Sequence, residues 1–378
     1  MNKRTTIIYL SILVLFLLLP LPVGAAFGNR LFGGMSENRV LSAFPEVSAK
    51  LSAIRAFPAG FEAYFGDHLP LKTPLVFLNG LLDYHVFKSS PSDSVIVGQK
   101  GYLFYRGSQL NEEDPYKDYY GLNLFTEEEL MLIRDNLKEA EAYLESKGCR
   151  FILFLPPNKE RPYADKMPAS FGSPWQECRL NQLREYLTEN TEITVVAPLE
   201  DIEAYHQTHL EEELYYRFDT HWNRLGAYLA AGALGKELGF SLPSLETLKR
   251  NEIEPFSGDL ASQMGLYGYL KDEPVWVPEG FSSVNPSYVS FGEGFQGEAS
   301  GEGVLDQSLL LAGDSFSALL YPYLGYFYAR SLSVNYYDYE DGLLEASQPD
   351  VFVLEVVERY LANLETFSIH TGIERRLE

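Results

Sequence analysis

Phe151-Ile152-Leu153-Phe154-Leu155 is an unbroken apolar run of strand length, and Pro156-Pro157-Asn158-Lys159 ends it. A run without polar alternation is buried on both faces, as in a parallel sheet held between layers of helix. The residues before it support that reading. Thr126 with Glu129 three positions on forms a capping box that opens a helix. Leu130, Ile133, Leu137, Ala140 and Leu144 keep one apolar face along it until Gly148 stops it. Loops at the carboxyl ends of such strands are where open α/β sheets hold ligands. Asn158 and Lys159 are therefore candidates for contact with a substrate or an oxyanion, against the alternatives of a turn asparagine and a surface lysine.

Working outward, residues 174–190 read as a helix and Ile193-Thr194-Val195-Val196 as another buried strand. Residues 201–216 read as an acidic helix, and 225–238 as a helix rich in Ala and Gly that packs closely on the sheet. Leu309-Leu310-Leu311-Ala312, a helix over 316–329 and Val351-Phe352-Val353-Leu354-Glu355 complete the core. This repeated order predicts an α/β fold, a doubly wound parallel sheet flanked by helices. Between 240 and 303 the periodicity weakens, and an insertion of loops and small strands is expected there as a substrate-facing arm. Upstream, residues 95–105 carry a β-hairpin signal. Tyr102 in it either lines a site or packs on the sheet. Residues 27–94 form a mostly helical lead-in, with Phe57, Phe61, Tyr64 and Phe65 at roughly helical spacing. The expected plan is a leader at 1–26, a lead-in at 27–94 and a main domain at 95–378.

The leader has Lys3 and Arg4 before an uncharged apolar run at 7–19, then Pro20, Pro22 and Gly24-Ala25-Ala26. It fits a secretory signal peptide and, as the preferred reading, an uncleaved signal-anchor in the membrane. Either way the globular part lies outside the cytoplasm. With 46% hydrophobic and 14% aromatic residues, the 378-residue chain can bury a large core. Its net charge of −23 repels phosphate backbones, which argues against a nucleic-acid partner. Cys149 and Cys178 either pair or stay free, according to the compartment. Neither has a metal-ligand neighbour at short spacing, so no metal is expected.

The chemistry lies in Arg217-Phe218-Asp219-Thr220-His221-Trp222-Asn223 and Ala312-Gly313-Asp314-Ser315-Phe316. Ser315 ends a strand and begins a helix, where free backbone N–H groups suit a developing oxyanion. Taken alone, Gly-Asp-Ser equally describes a serine that caps a helix. Asp219, two residues before His221, can fix the imidazole tautomer and leave the other ring nitrogen for a serine. Taken alone, this pair also describes a turn aspartate and a satisfied histidine. Together in one α/β chain they read as an acyl-transfer site, with Ser315 as nucleophile, His221 as base and Asp219 as orienting carboxylate. That chemistry requires no cofactor.

These residues carry a resemblance. Asp219-Thr220-His221-Trp222-Asn223 followed by Gly226-Ala227, with the later Gly313-Asp314-Ser315-Phe316, resembles the SGNH hydrolase-like O-acetyltransferases of the alginate acetylation group. It is also similar to their Gram-positive relatives, the DHHW proteins. Val97-Gly98, Phe104-Tyr105, Pro156-Pro157-Asn158-Lys159 and Ser257-Gly258-Asp259-Leu260 extend the resemblance. In that family the Asp-x-His pair precedes the serine, as it does here. The resemblance implies an SGNH-like fold and O-acetylation of a polysaccharide, with a membrane-bound O-acyltransferase as acetyl supplier. The strongly acidic chain departs from members that modify a polyanion, which leaves the acceptor glycan open. A carbohydrate esterase with the same triad and a non-catalytic accessory protein are the alternatives. Arg359, near the end of the domain, is a further candidate for substrate or oxyanion contact, or else a salt-bridge partner.

Overall fold

The computed structural model describes residues 42–374, apart from 49, 69–71, 108–113, 253–254, 273–275, 280–283 and 292–293, together with isolated positions 4, 7 and 9–11. The leader expected at 1–26 therefore lies almost wholly outside the described residues. Among those described, no helix is long and apolar enough to cross a membrane. The chain divides into two compact units, Met1–Pro91 with Met264–Tyr267, and Ser92–Gln263 with Gly268–Glu378.

The first unit contains α1 (Leu51–His68) and α2 (Lys72–Leu82), continued by a wide turn at Asp83–Phe87. Phe44 sets its ring edge-on to Phe57, Phe61 and Tyr64, with centroids 5.1–6.2 Å apart. The aromatic spacing seen in the sequence thus makes one cluster on α1. His68 stacks on Tyr64 and faces its carbonyl.

The second unit opens with β1 (Val95–Val97) and β2 (Leu103–Tyr105), the predicted hairpin, paired as a separate two-stranded sheet. Next come α3 (Pro115–Tyr120), α4 (Glu127–Ser146), β3 (Arg150–Phe154), α5 (Arg179–Asn190), β4 (Thr194–Val196), α6 (Leu199–Thr208) and α7 (Arg224–Leu238). β5 (Lys249–Glu252) pairs with β6 (Trp276–Glu279), and α8 (Asp259–Gln263) lies between them in sequence. β7 (Val284–Phe291), β8 (Gly294–Gly301), β9 (Leu305–Gly313), α9 (Ser317–Gly325), β10 (Tyr328–Asn335), α10 (Asp341–Ser347) and β11 (Val351–Glu355) complete the unit.

The main sheet has the order β4-β3-β11-β9-β10-β8-β7. Its first five strands are parallel, and β8 and β7 add an antiparallel margin. Successive residues of the central strands face opposite layers. Ile152, Phe154, Leu309, Leu311, Val351 and Val353 join α7 and α9 in one core. Phe151, Leu153, Leu310, Ala312, Phe352 and Leu354 join α4 and α5 in the other. Side-chain alternation across a sheet explains why apolar runs without polar breaks are needed. The expected doubly wound α/β fold is present, and the Thr126 capping box and all five apolar positions of α4 are as predicted.

Several boundaries differ from expectation. The helix expected from 174 starts at Arg179, because Trp175 N–H is bound to the Tyr119 carbonyl and the preceding residues follow that contact. The acidic helix stops at Thr208 rather than 216, since Tyr215 and Trp222 pair across a turn. β4 is an edge strand, only partly buried. Residues 240–303 do not stand apart as an arm, for β7 and β8 extend the main sheet. β10 was not expected, because Arg330, Ser331 and Ser333 interrupt its apolar pattern. Cys149 and Cys178 are both free and buried, and burial pushes the Cys149 thiol up to about 12.

Candidate active site

The carboxyl ends of β3, β9 and β11 lie side by side, as the register of these parallel strands requires. Ser315 projects from the turn between β9 and α9 and is exposed, whereas Asp314 and Phe316 on either side are buried. Ser315 does not cap α9. That work falls to Asp314, whose Oδ1 accepts the Phe316 N–H at 2.9 Å and whose carbonyl accepts the Ser317 N–H at 3.1 Å. Asp314 Oδ2 also accepts the Val357 N–H at 2.8 Å, and Asp314 N–H donates to Glu355 Oε2 at 2.9 Å. The turn that carries Ser315 is thereby tied to the end of β11. Gly313 permits this approach, since a Cβ there would lie 2.4 Å from Glu355 Oε2 and 2.8 Å from Ser317 Cβ. Burial raises the Asp314 and Glu355 carboxyls above the usual range, and their proximity adds to the shift of Glu355. A neutral Glu355 suits its position beside Asp314.

His221 meets Ser315 from the opposite segment, with Nε2 2.7 Å from Ser315 Oγ. Its Nδ1 lies 2.7 Å from Asp219 Oδ1, which also accepts the His221 backbone N–H at 2.9 Å. The segment is held in a tight reversal: Tyr216 N–H donates to the His221 carbonyl, and Asn223 N–H to the Leu214 carbonyl. Asn223 then caps α7, its Oδ1 accepting from Leu225 and Gly226 N–H. Trp222, fully buried, donates its indole N–H to the Phe316 carbonyl at 3.2 Å and so links the two segments. Burial pushes the Asp219 carboxyl upward, but the hydrogen bond and charge of His221, with the N–H groups of Asp259 and His221, hold it down at about 2.

The other sequence candidates sit behind this surface. Lys159 is buried, and its Nζ faces the carbonyls of Leu103, Tyr216, Arg217 and Asp219 at 2.6–3.1 Å. It braces the Asp219 segment from within and presents no ammonium to a substrate. Burial lowers it to about 8, against the pull of Asp272, Glu160, Asp219 and Asp259. Asn158 is likewise consumed: its Nδ2 donates to Asp118 Oδ2, and its Oδ1 accepts the Arg359 N–H. Asp118 in turn holds Arg179 in a buried ion pair at 2.7 Å, a partnership that spacing did not announce. The Tyr102 hydroxyl donates to Glu213, and burial and that carboxylate raise its pKa. Arg359 is almost fully buried, its guanidinium 5.0 Å above the Phe316 ring and 4.9 Å above the Tyr360 ring.

Two residues at the site carry no role in the sequence reading. Asp259, 40 positions beyond Asp219, donates its N–H to Asp219 Oδ2 at 2.9 Å. Thr220 stands between them, donating its hydroxyl to Asp259 Oδ2 at 2.6 Å and its N–H to Asp259 Oδ1 at 2.9 Å. Asp219, His221 and Asp259 bring potential metal-ligand atoms within 4.8 Å of one another. The hydrogen bonds just described engage all three side chains, an arrangement better suited to holding a proton than a cation.

A model of the family described as SGNH hydrolase-like domain, acetyltransferase AlgX, matches residues 95–353. A probable alginate O-acetylase AlgJ of Pseudomonas aeruginosa is 26% identical over 314 residues, 78% of this chain and 73% of that protein. The probable alginate O-acetylase AlgJ of Pseudomonas putida is 23% identical over 212 residues, 54% of this chain and 50% of the relative, so that match spans half the relative's length. A DHHW family protein from Eubacterium siraeum superposes with a TM-score of 0.50 at 15% identity, covering 71% of this chain and 94% of that one. At that identity the likeness is one of fold.

Proposed function

We propose that this chain, which belongs to the family of SGNH hydrolase-like acetyltransferase domains that includes AlgX, moves acetyl groups through Ser315 onto hydroxyls of a polysaccharide. The observation that carries this reading is the continuous line from Asp219 through His221 to an exposed Ser315, with both links at 2.7 Å. His221 Nε2 takes the proton as Ser315 Oγ attacks the acetyl carbonyl carbon of an acetyl ester, and the tetrahedral oxyanion forms. Its collapse breaks the bond to the leaving oxygen, which receives the proton from His221, and leaves acetyl-Ser315. A glycan hydroxyl then gives its proton to the same nitrogen, attacks the acetyl-serine, and departs as the acetyl ester while Ser315 is restored.

Asp219 holds the imidazole and balances its transient positive charge. The Ser315 N–H has no acceptor among the described residues and lies two residues before α9, a suitable donor to the oxyanion. The Arg359 cation, stacked on Phe316, adds positive potential behind the nucleophile turn. The relatives' names as alginate O-acetylases support a polysaccharide acceptor. The basic and apolar leader at 1–26 supports work outside the cytoplasm at a membrane, with a membrane-bound O-acyltransferase as acetyl supplier.

The test is incubation with a small acetyl ester, read by intact mass, beside Ser315→Ala. A gain of about 42 Da, one acetyl group on a serine, absent from the variant, is expected. Added oligosaccharide should then discharge the adduct and gain the acetyl group. Turnover that survives Ser315→Ala would sink the reading, and discharge to water alone would make the protein an esterase.

A further inference from the structure

We propose that Asp259 is a positioning residue of this site: acting through Thr220, it keeps the His221 proton on Nδ1 and so leaves Nε2 free to act as base. The inference rests on the reading of Ser315, His221 and Asp219 given above and assigns a fourth and a fifth participant to it.

The Thr220 hydroxyl lies 3.2 Å from His221 Nδ1. A neutral imidazole carries a single N–H, and the hydrogen bond made at one nitrogen decides which nitrogen holds it. A threonine hydroxyl free to donate to Nδ1 would favour the Nε2–H tautomer. That tautomer points a hydrogen at Ser315 Oγ and cannot accept one. Asp219 Oδ1 already favours the hydrogen on Nδ1, and Asp259 removes the competing donor. Its Oδ2 accepts the Thr220 hydroxyl hydrogen at 2.6 Å, so Thr220 turns only lone pairs toward Nδ1. The hydrogen on Nδ1 then faces two acceptors, Thr220 Oγ1 and, closer, Asp219 Oδ1.

The same residue fixes the backbone that carries these groups. Asp259 Oδ1 accepts the Thr220 N–H, and Asp259 N–H closes on Asp219 Oδ2, so the two segments brace each other in both directions. Gly258 allows the approach: a Cβ there would sit 2.4 Å from the Phe218 carbonyl oxygen and 2.5 Å from Asp219 Cβ. Charge adds a second effect. Asp259 Oδ2 lies 4.0 Å from Nδ1, a second anion beside the ring that becomes cationic when Ser315 gives up its proton. Asp219 and Asp314 are the other anions acting on the ring, Lys159 and Arg359 are the cations that act on Asp259, and Ser315 is the neutral partner. Burial and the Asp219 charge both resist a second carboxylate here. The fold holds it there all the same, with three hydrogen bonds.

The test compares the full chain with Asp259→Asn in acetyl-ester turnover. An amide at 259 still accepts the Thr220 N–H but turns an N–H toward Thr220 Oγ1, releasing the hydroxyl to donate to Nδ1. We expect kcat to fall by at least about tenfold with KM within about twofold. The ¹⁵N spectrum of His221, assigned by its loss in His221→Gln, should shift from Nδ1–H toward Nε2–H. Asp259→Glu, which retains a carboxylate, should recover part of the loss. In a Thr220→Val background, where no hydroxyl needs holding, Asp259→Asn should change kcat by less than about threefold. An Asp259→Asn protein with wild-type kcat and spectrum overturns the proposal, as does an equal loss in both backgrounds. Where Asp259→Asn does not fold, Asp259→Ser removes the same acceptor and carries the same comparison. Ser315→Ala separates the two levels. If it is inactive while Asp259→Asn is unchanged, only this inference fails; if it is active, the acyl-serine reading fails.

Discussion

Lys159 shows at a single residue how the site is held. Its ammonium is out of water and faces four main-chain carbonyls, three of them in the segment 216–219 that carries Asp219. Replacing it with methionine keeps the volume but removes the donor these carbonyls share, leaving the Arg217 carbonyl only the Leu103 N–H. Thermal and urea unfolding should show a loss of at least about 2 kcal/mol, and kcat should fall with it because the Asp219 carbonyl loses its tether. Asp219 itself makes stability depend on pH. Its folded pKa of about 2 lies below its ordinary value of 3.8, so it contributes stability above pH 4 that disappears as the pH falls through 2. The contribution is about 2 kcal/mol, and urea midpoints measured from pH 6 down to pH 2 should show that part of the acid slope missing in Asp219→Asn. At this scale the sequence was partly legible. Asp219 and His221 meet because they are two positions apart in a tight reversal. Asn158 and Lys159 were identifiable as strand-end residues, but nothing local reveals that other segments close over them.

At the scale of elements, alternation across the central strands was readable because each of their residues needs an apolar partner on one side or the other. The margin was not. β10 mixes serines with apolar residues, and it becomes a strand because β9 on one side and β8 on the other supply its hydrogen bonds. The turn from β9 to α9 carries Ser315, the proposed nucleophile. Gly313→Ala drives a methyl group into Glu355 and Ser317, and the only relief is movement of the turn. We expect about 1–3 kcal/mol of destabilisation and, from displacement of Ser315, a fall in kcat of up to about a hundredfold. Paired unfolding and turnover measurements would separate the two. A Gly313→Ala protein that loses stability but keeps full turnover would mean that the turn does not set the position of the nucleophile.

For the whole molecule the governing quantity is charge. A net charge of −23 repels an acidic polymer over distances set by the salt concentration. With a polyanionic acceptor, kcat/KM should rise several-fold between about 20 and 200 mM salt, whereas a neutral acceptor should show little change. Parallel assays on the two classes of oligosaccharide check this. Composition made this property legible at once, whereas the grouping of residues 264–267 with the first unit was not: they lie deep within the sequence of the second. One detail of the interior bears on how far the chemistry can travel. Because a single ammonium gathers carbonyls from the 95–105 hairpin and the 216–219 segment, Asp-Thr-His and Gly-Asp-Ser are not a portable pair. Grafting them onto another scaffold would require the hairpin, the Pro156–Lys159 corner and the Gly258–Asp259 loop to be carried along. A search for the two short signatures alone will therefore gather many chains that spell this site without being able to build it.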